Sequence, residues 1–202
     1  NEQNQIDVKK YSINIELFPK SQEIKADLVI SGDLKKNIPE IVLNFTDGFS
    51  ISKVYFNNNL ANFTYKNNYL KVKNTSNSNN FSIKVIYKGK PKSKGFGSFV
   101  FDKINNLDLV YSLNEPIFAS TWFPCNDKPD DKALFETTIT NDKKYVSVSN
   151  GIFESSVIKG NKTSYSYKTL NELSTYLFAI YSGDYKFFED YVVCENNDTT
   201  RL

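Results

Sequence analysis

The 202-residue chain carries 25 Lys and Arg against 23 Asp and Glu, a formal charge of +2, with 40% apolar and 15% aromatic residues. That composition excludes a disordered chain, and without a basic excess there is no electrostatic case for a nucleic-acid partner or an anionic membrane. No histidine occurs, which excludes a Ser-His-Asp triad, a Cys-His pair and any imidazole-based zinc site, and the two cysteines, Cys125 and Cys194, make neither a disulfide framework nor a four-thiolate metal site.

Strand signals start at once. Tyr11, Ile13, Ile15 and Leu17 alternate with Ser12, Asn14 and Glu16, a period of two. The alternation continues through Ile24–Leu34, Ile41–Phe45 and Val54–Phe56, the last cut off by Asn57-Asn58-Asn59. Phe63 and Tyr65, then Leu70 and Val72, flank Asn67-Asn68, a hairpin signal because Asn tolerates positive φ. Phe81, Ile83, Val85 and Tyr87 form the next strand. From Lys88 to Gly97, Gly89, Pro91, Gly95 and Gly97 are interleaved with Lys88, Lys90, Lys92 and Lys94, and without aromatic interleaving this reads as a solvated connection, not an anion grip. Strands resume at Leu107–Tyr111, Phe135–Ile139 and Tyr145–Ser149, and Gly160-Asn161 predicts a hairpin between Ser155–Ile158 and Tyr165–Tyr167. Thr175–Tyr181, almost continuously apolar, predicts a central strand covered on both faces.

No segment shows a sustained 3.6-residue apolar stripe, and no apolar run approaches the roughly 20 residues that span a bilayer. The one helical hint is short: Asp127 as N-cap, Pro129, the acids Asp130 and Asp131, then Lys132-Ala133-Leu134. The expectation is an all-β, antiparallel β-sandwich of many strands with at most one short helical turn. It has no convincing linker, so residues 1–202 read as a single domain. Two separate buried thiols are expected, not a bridge. The start at Asn1 and the absence of Met suggest a processed or excised piece of a longer protein. Few cysteines fit the cytoplasm and the cell envelope alike, and the polar start tips the expectation slightly toward secretion or the periplasm.

Residues 112–133, SLNEPIFASTWFPCNDKPDDKA, break the alternation. Trp122, Phe123, Pro124 and Cys125 read with Asp127 and Pro129 as a rigid, buried turn, with prolines fixing φ and aromatics supplying apolar area. A structural role is expected for Trp122, Phe123, Pro124, Cys125 and Asp127. Glu115 differs: it follows a predicted strand and precedes Pro116, whose tertiary amide lowers the cost of a cis bond to about 0.5–1 kcal/mol. A carboxylate on such a turn is a point receptor for an ammonium group. By composition alone, an exposed loop acid is the simpler reading.

The segment closely resembles the N-terminal domain of aminopeptidase N-like zinc metallopeptidases, the gluzincins. The resemblance rests on Glu115-Pro116, the run from Trp122 to Asp127, Pro129 and Lys132-Ala133. Three further stretches match in order: VKKYSINIEL, VSVSNG ending at Gly151, and LSTYLFAIYSGDY, together covering Val8 to Tyr185. The resemblance implies a saddle-shaped β module beside a thermolysin-like catalytic domain lying beyond residue 202. In it, the acid at Glu115 binds the α-amino group of the substrate, and Pro116 forms a cis turn that positions that acid. Many members carry Gln where Leu113 stands, so Leu113 becomes a candidate wall of the first-residue pocket.

The family's zinc ligands and general base reside in H-E-x-x-H with a downstream Glu, and a chain without His lacks them. The resemblance therefore implies zinc in the parent's catalytic domain, with no catalytic residue, metal or cofactor in this chain, which alone is expected to be inactive. Its implied partners are that catalytic domain and peptides with a free N-terminus. Two other readings stay open: a non-catalytic docking scaffold of the same fold, and an extracellular glycan-binding β-sandwich suggested by 13 Tyr, 16 Phe and one Trp.

Overall fold

The computed structural model describes residues 2–93, 97–186, 191–193 and 199–201. Cys194 lies outside the described residues. The first half forms β1 (Ile6–Phe18), β2 (Glu23–Leu34), β3 (Glu40–Asn44), β4 (Phe49–Phe56), β5 (Asn59–Leu60), β6 (Phe63–Lys66), β7 (Tyr69–Lys73) and β8 (Asn80–Gly89). The second half adds β9 (Ser98–Ile104), β10 (Leu107–Leu113), β11 (Lys132–Asp142), β12 (Val146–Ser149), β13 (Ile152–Lys159) and β14 (Lys162–Lys168). The short strands β15 (Leu173–Ser174), β16 (Ile180–Gly183), β17 (Tyr191–Val193) and β18 (Thr199–Arg201) complete the order.

The main sheet runs β13-β14-β11-β1-β2-β8-β4-β5, with β15 also on β11. Against it lie a four-stranded sheet, β12-β16-β10-β9, and a three-stranded sheet, β3-β7-β6. The period of two explains the layering: Tyr11, Ile13, Ile15 and Leu17 are all buried on the core face of β1, while Ser12, Asn14 and Glu16 face outward. Val8 also points inward, three residues before Tyr11, because a bulge between Val8 and Lys10 takes up the extra residue.

Paired asparagines make the tight turns. Asn57 and Asn58, Asn67 and Asn68, and Asn105 and Asn106 all adopt positive φ, between 47° and 68°. Two successive positive-φ residues give the hairpin turn whose twist matches the flanking strands. The predicted hairpin around Gly160 forms between β13 and β14.

Three local expectations change. The sheets are antiparallel except where β1 pairs with β11, with Ile13 opposite Thr137 in parallel; strands so far apart in sequence meet the long-connection requirement of parallel pairing. The helical turn expected from Asp127 to Leu134 does not form, since Lys132 already opens β11. Helical character appears instead as 3-10 turns at Glu2–Gln5, Ala119–Thr121 and Thr175–Leu177. That last turn breaks the strand expected over Thr175–Tyr181, which survives as β16 from Ile180. β16 does lie inside its sheet, between β12 and β10, but Tyr181 on it is exposed.

Candidate functional site

The pattern-breaking segment fills the space between the sheets. Trp122, Phe123 and Cys125 are fully buried, and the aromatic rings form a continuous cluster. Trp122 meets Phe123 edge-on at 4.5 Å, and Phe178 stacks on Phe135 at 4.2 Å, which in turn stacks on Tyr11 at 5.0 Å. Each such pair adds about 0.5–1.5 kcal/mol beyond the area it buries.

Its backbone is satisfied from three sides. The Tyr87 hydroxyl donates to Trp122 O (2.9 Å), and Asn126 N donates to the Tyr11 hydroxyl (3.1 Å). Cys125 and Asn44 exchange backbone hydrogen bonds of 3.0 and 2.8 Å, adding an isolated bridge to β3. The Asp127 carboxylate accepts from Ser120 N (3.1 Å) and from Thr175 Oγ1 (3.0 Å), so it ties two 3-10 turns together and does not cap a helix after itself.

Glu115 stands where this buried mass meets the surface, directly after β10. Its neighbour Asn114 is only 1% exposed and acts as the anchor. Asn114 Nδ2 donates to Thr175 O (3.2 Å) and Phe178 O (2.6 Å), while Trp122 Nε1 donates to Asn114 Oδ1 (2.9 Å). The loop closes on itself through Phe118 N donating to Asn114 O (2.7 Å). Gly97 lets the Phe118 ring settle: a Cβ there would lie 2.1 Å from Phe118 Cδ2. The Glu115–Pro116 peptide bond is cis.

The Glu115 side chain is exposed and, among the described residues, takes part in no salt bridge. Exposed apolar side chains flank it in the chain and on the turn that Asn114 grips: Leu113 is 38% exposed, Ile117 59% and Leu177 52%. Glu115 and Pro116 thus lie on an exposed loop, Leu113 is the exposed last residue of β10 just before it, and Trp122, Phe123, Pro124 and Cys125 lie in the interior. Sequence reasoning missed Asn114 and Gly97. Thr175 and Phe178 lie about 60 residues from Asn114, and Phe118 about 20 from Gly97, so no local pattern announces them.

Among the described residues no group of three or more Cys, Asp and Glu is placed to hold a metal ion, so no metal step is derived from them. No described helix is long and apolar enough to cross a membrane. Burial pushes the Cys125 thiol well above its ordinary value, with Asp127 and Asp131 adding to the effect, and raises both Tyr11 and Tyr87. Asp131 is the exception in reach of neutral pH, raised to about 6 mainly by burial.

Residues 8–177 match the family described as the peptidase M1 N-terminal domain. Probable aminopeptidase 1 of Sulfurisphaera tokodaii is 24% identical over 185 residues, covering 92% of this chain but 22% of that protein. Aminopeptidase M1 of Arabidopsis thaliana is 36% identical over 101 residues, half of this chain and 12% of its own. The chain therefore spans about a fifth or less of these relatives. In fold it is similar to the crystal structure of an M1 zinc metallopeptidase from Deinococcus radiodurans, with a TM-score of 0.85 at 19% identity over 98% of this chain and 46% of that one. With most of its length accounted for by the family match, the chain belongs to the M1 peptidases as their N-terminal domain.

Proposed function

We propose that this domain lines the substrate cleft of a zinc-dependent aminopeptidase, and that Glu115 receives the α-ammonium group of a peptide while a neighbouring domain supplies zinc and the catalytic residues. The observation that carries the reading is the contrast between two adjacent residues. Asn114 is locked by three buried hydrogen bonds, and Glu115 next to it presents a carboxylate with no salt-bridge partner among the described residues.

On its own surface such a carboxylate is hydrated, and an ammonium ion at contact gains only about 1 kcal/mol. A second wall changes the balance. Covering the loop would remove water, and the exposed Leu113, Ile117 and Leu177 are the apolar rim that a covering domain would bury. In that drier cleft an acylated N-terminus leaves the acid without a cation, so blocked peptides are rejected and free ones accepted. Leu113 would form the wall for the first side chain. Without the neighbouring domain the chain hydrolyses nothing.

The test is the kinetics of Glu115→Gln in the full polypeptide that carries this domain. The expected loss in kcat/KM on aminoacyl substrates corresponds to about 2–4 kcal/mol, with a smaller preference for free over N-acetylated peptides. Wild-type kinetics in that variant would remove Glu115 from the reading.

A further inference from the structure

A concavity independent of Glu115 lies at the opposite end of β10. Asp108, near the start of the strand, lines it; Glu115 follows the strand's end, about 20 Å of extended chain away. The β1–β2, β11–β12 and β13–β14 turns converge there around a cavity of about 410 Å³. That size falls within the usual range for small-molecule sites, about 300–1,000 Å³.

The walls are cross-linked to one another. Tyr145 is buried, its hydroxyl donating to Asp108 Oδ2 (3.1 Å) and accepting from Asp108 N (2.9 Å). Asp142 accepts from Lys144 N (3.2 Å) and from Asn161 Nδ2 (3.1 Å), and Lys143 N donates to Asn161 O (3.0 Å), so two turns are stapled together. The Lys162 ammonium lies 5.0 Å from the centre of the Phe18 ring and pairs with Glu16. The accessible apolar surface comes from the half-buried Phe18 and Pro19, backed by the buried Leu17 and Tyr145.

Two acids share the wall: Asp142 accepts from the two neutral donors just named and keeps its charge, while Asp108 is bonded to Tyr145 and paired with Lys103 at 3.6 Å. Lys20 and Lys144 line the same cavity and, among the described residues, form no salt bridge; Lys144 rests 4.6 Å over the Tyr145 ring, hydrogen-bonded to that side chain and within the field of Asp142 and Asp108. Among the lining residues Lys20, Lys144 and Lys162 outnumber Asp108 and Asp142 by one, beside an apolar floor.

We propose that this cavity binds an organic carboxylate with an apolar or aromatic body: the body against Phe18 and Pro19, the anionic head between Lys20 and Lys144. Such a head occurs on a free acid and on the C-terminal residue of a peptide, and the shared chemistry is what the site recognises.

Saturation-transfer NMR on the full polypeptide tests this with 3-phenylpropionate, its neutral amide, and a phenylalanine-terminated hexapeptide in free-acid and amidated forms. Saturable binding is expected for one or both acids at or below about 10 mM, at least roughly tenfold weaker for the matching amide. The double variant Lys20→Ala/Lys144→Ala should weaken the acid by at least roughly tenfold while Tm falls by no more than about 4 °C, the cost of losing the Lys144 contact with the Tyr145 ring. Which acid binds tells a free metabolite from a chain terminus. The proposal is overturned by no saturable binding of either acid, by equal binding of the amides, or by a double variant that binds like the wild type.

Discussion

Asn114 and Glu115 are adjacent in the chain and opposite in environment, and the first sets what the second can do. Replacing Asn114 with Leu would leave the indole N–H of Trp122 and the carbonyls of Thr175 and Phe178 without their present partners in a buried region. Each orphaned group costs about 1–3 kcal/mol. A fall in stability of at least that size is expected, read as a lower urea midpoint at unchanged m-value. If Glu115 holds substrate, KM should rise as well, because its loop is no longer pinned. An unchanged midpoint would show that the Asn114 contacts carry no net stability.

Asp131 supports a second prediction at the residue scale. Its carboxylate accepts from Val8 N (3.1 Å) and Asn126 Nδ2 (2.6 Å), yet burial outweighs these bonds and lifts its pKa from 3.8 to about 6. The folded state therefore holds the Asp131 proton more tightly than the unfolded chain does. Its contribution to stability is fully present below the unfolded value and is lost as pH rises through about 6, a difference of order 3 kcal/mol. Urea midpoints of wild type and Asp131→Asn, compared from about pH 4 to pH 7, should diverge, with wild type losing ground as pH rises. A constant gap between the two would mean that Asp131 titrates as an ordinary surface acid. Neither Asn114 nor Asp131 was legible from sequence: each is defined by a partner on a remote element, Thr175 and Phe178 for one and Val8 for the other.

At the scale of elements, two glycines beside the β13–β14 hairpin separate conformational need from steric need. Gly151 has φ +92°, and a Cβ there would sit 2.1 Å from Lys168 O and 2.7 Å from Thr169 N. Gly160, in the turn itself, has φ +62° with nothing within 4 Å. Gly160→Ala should therefore cost only the left-handed conformation, about 1–2 kcal/mol. Gly151→Ala adds a collision with backbone that cannot step aside, and about 3 kcal/mol or more is expected. Thermal melts of the two variants decide it, and equal losses would refute the steric argument. Hairpins were the most legible elements in the sequence, because Asn-Asn and Gly-Asn carry their own turn geometry. The run from Asp127 through Pro129 misled for a physical reason. It has the composition of a helix start, but the Asp127 carboxylate serves Ser120 N and Thr175 Oγ1, and β11 is claimed from Lys132 onward by pairing with β1 and β15.

For the whole molecule, the segment around Trp122 joins layers that no local rule connects. Period two fixed which residues face inward, but not that a Trp-Phe-Pro-Cys run would rest on Tyr11 and Tyr87 of one sheet while bridging to β3 of another. This arrangement makes Cys125 a reporter of the entire fold. Its sulfur is completely buried, and its thiol is held protonated by burial and by the nearby Asp127 and Asp131, so the reactive thiolate is suppressed as well as shielded. No small opening frees it, because its backbone is clamped to Asn44 in both directions. Alkylation at Cys125, followed by peptide mass spectrometry, should then proceed only through global unfolding. For a domain of ordinary stability that means slowing by at least about a thousandfold relative to a free thiol. Adding urea should raise the labelling rate with the same dependence as the unfolding constant. Rapid labelling without urea, or a rate indifferent to it, would mean that the segment opens locally and that the platform beneath Glu115 is looser than these contacts imply.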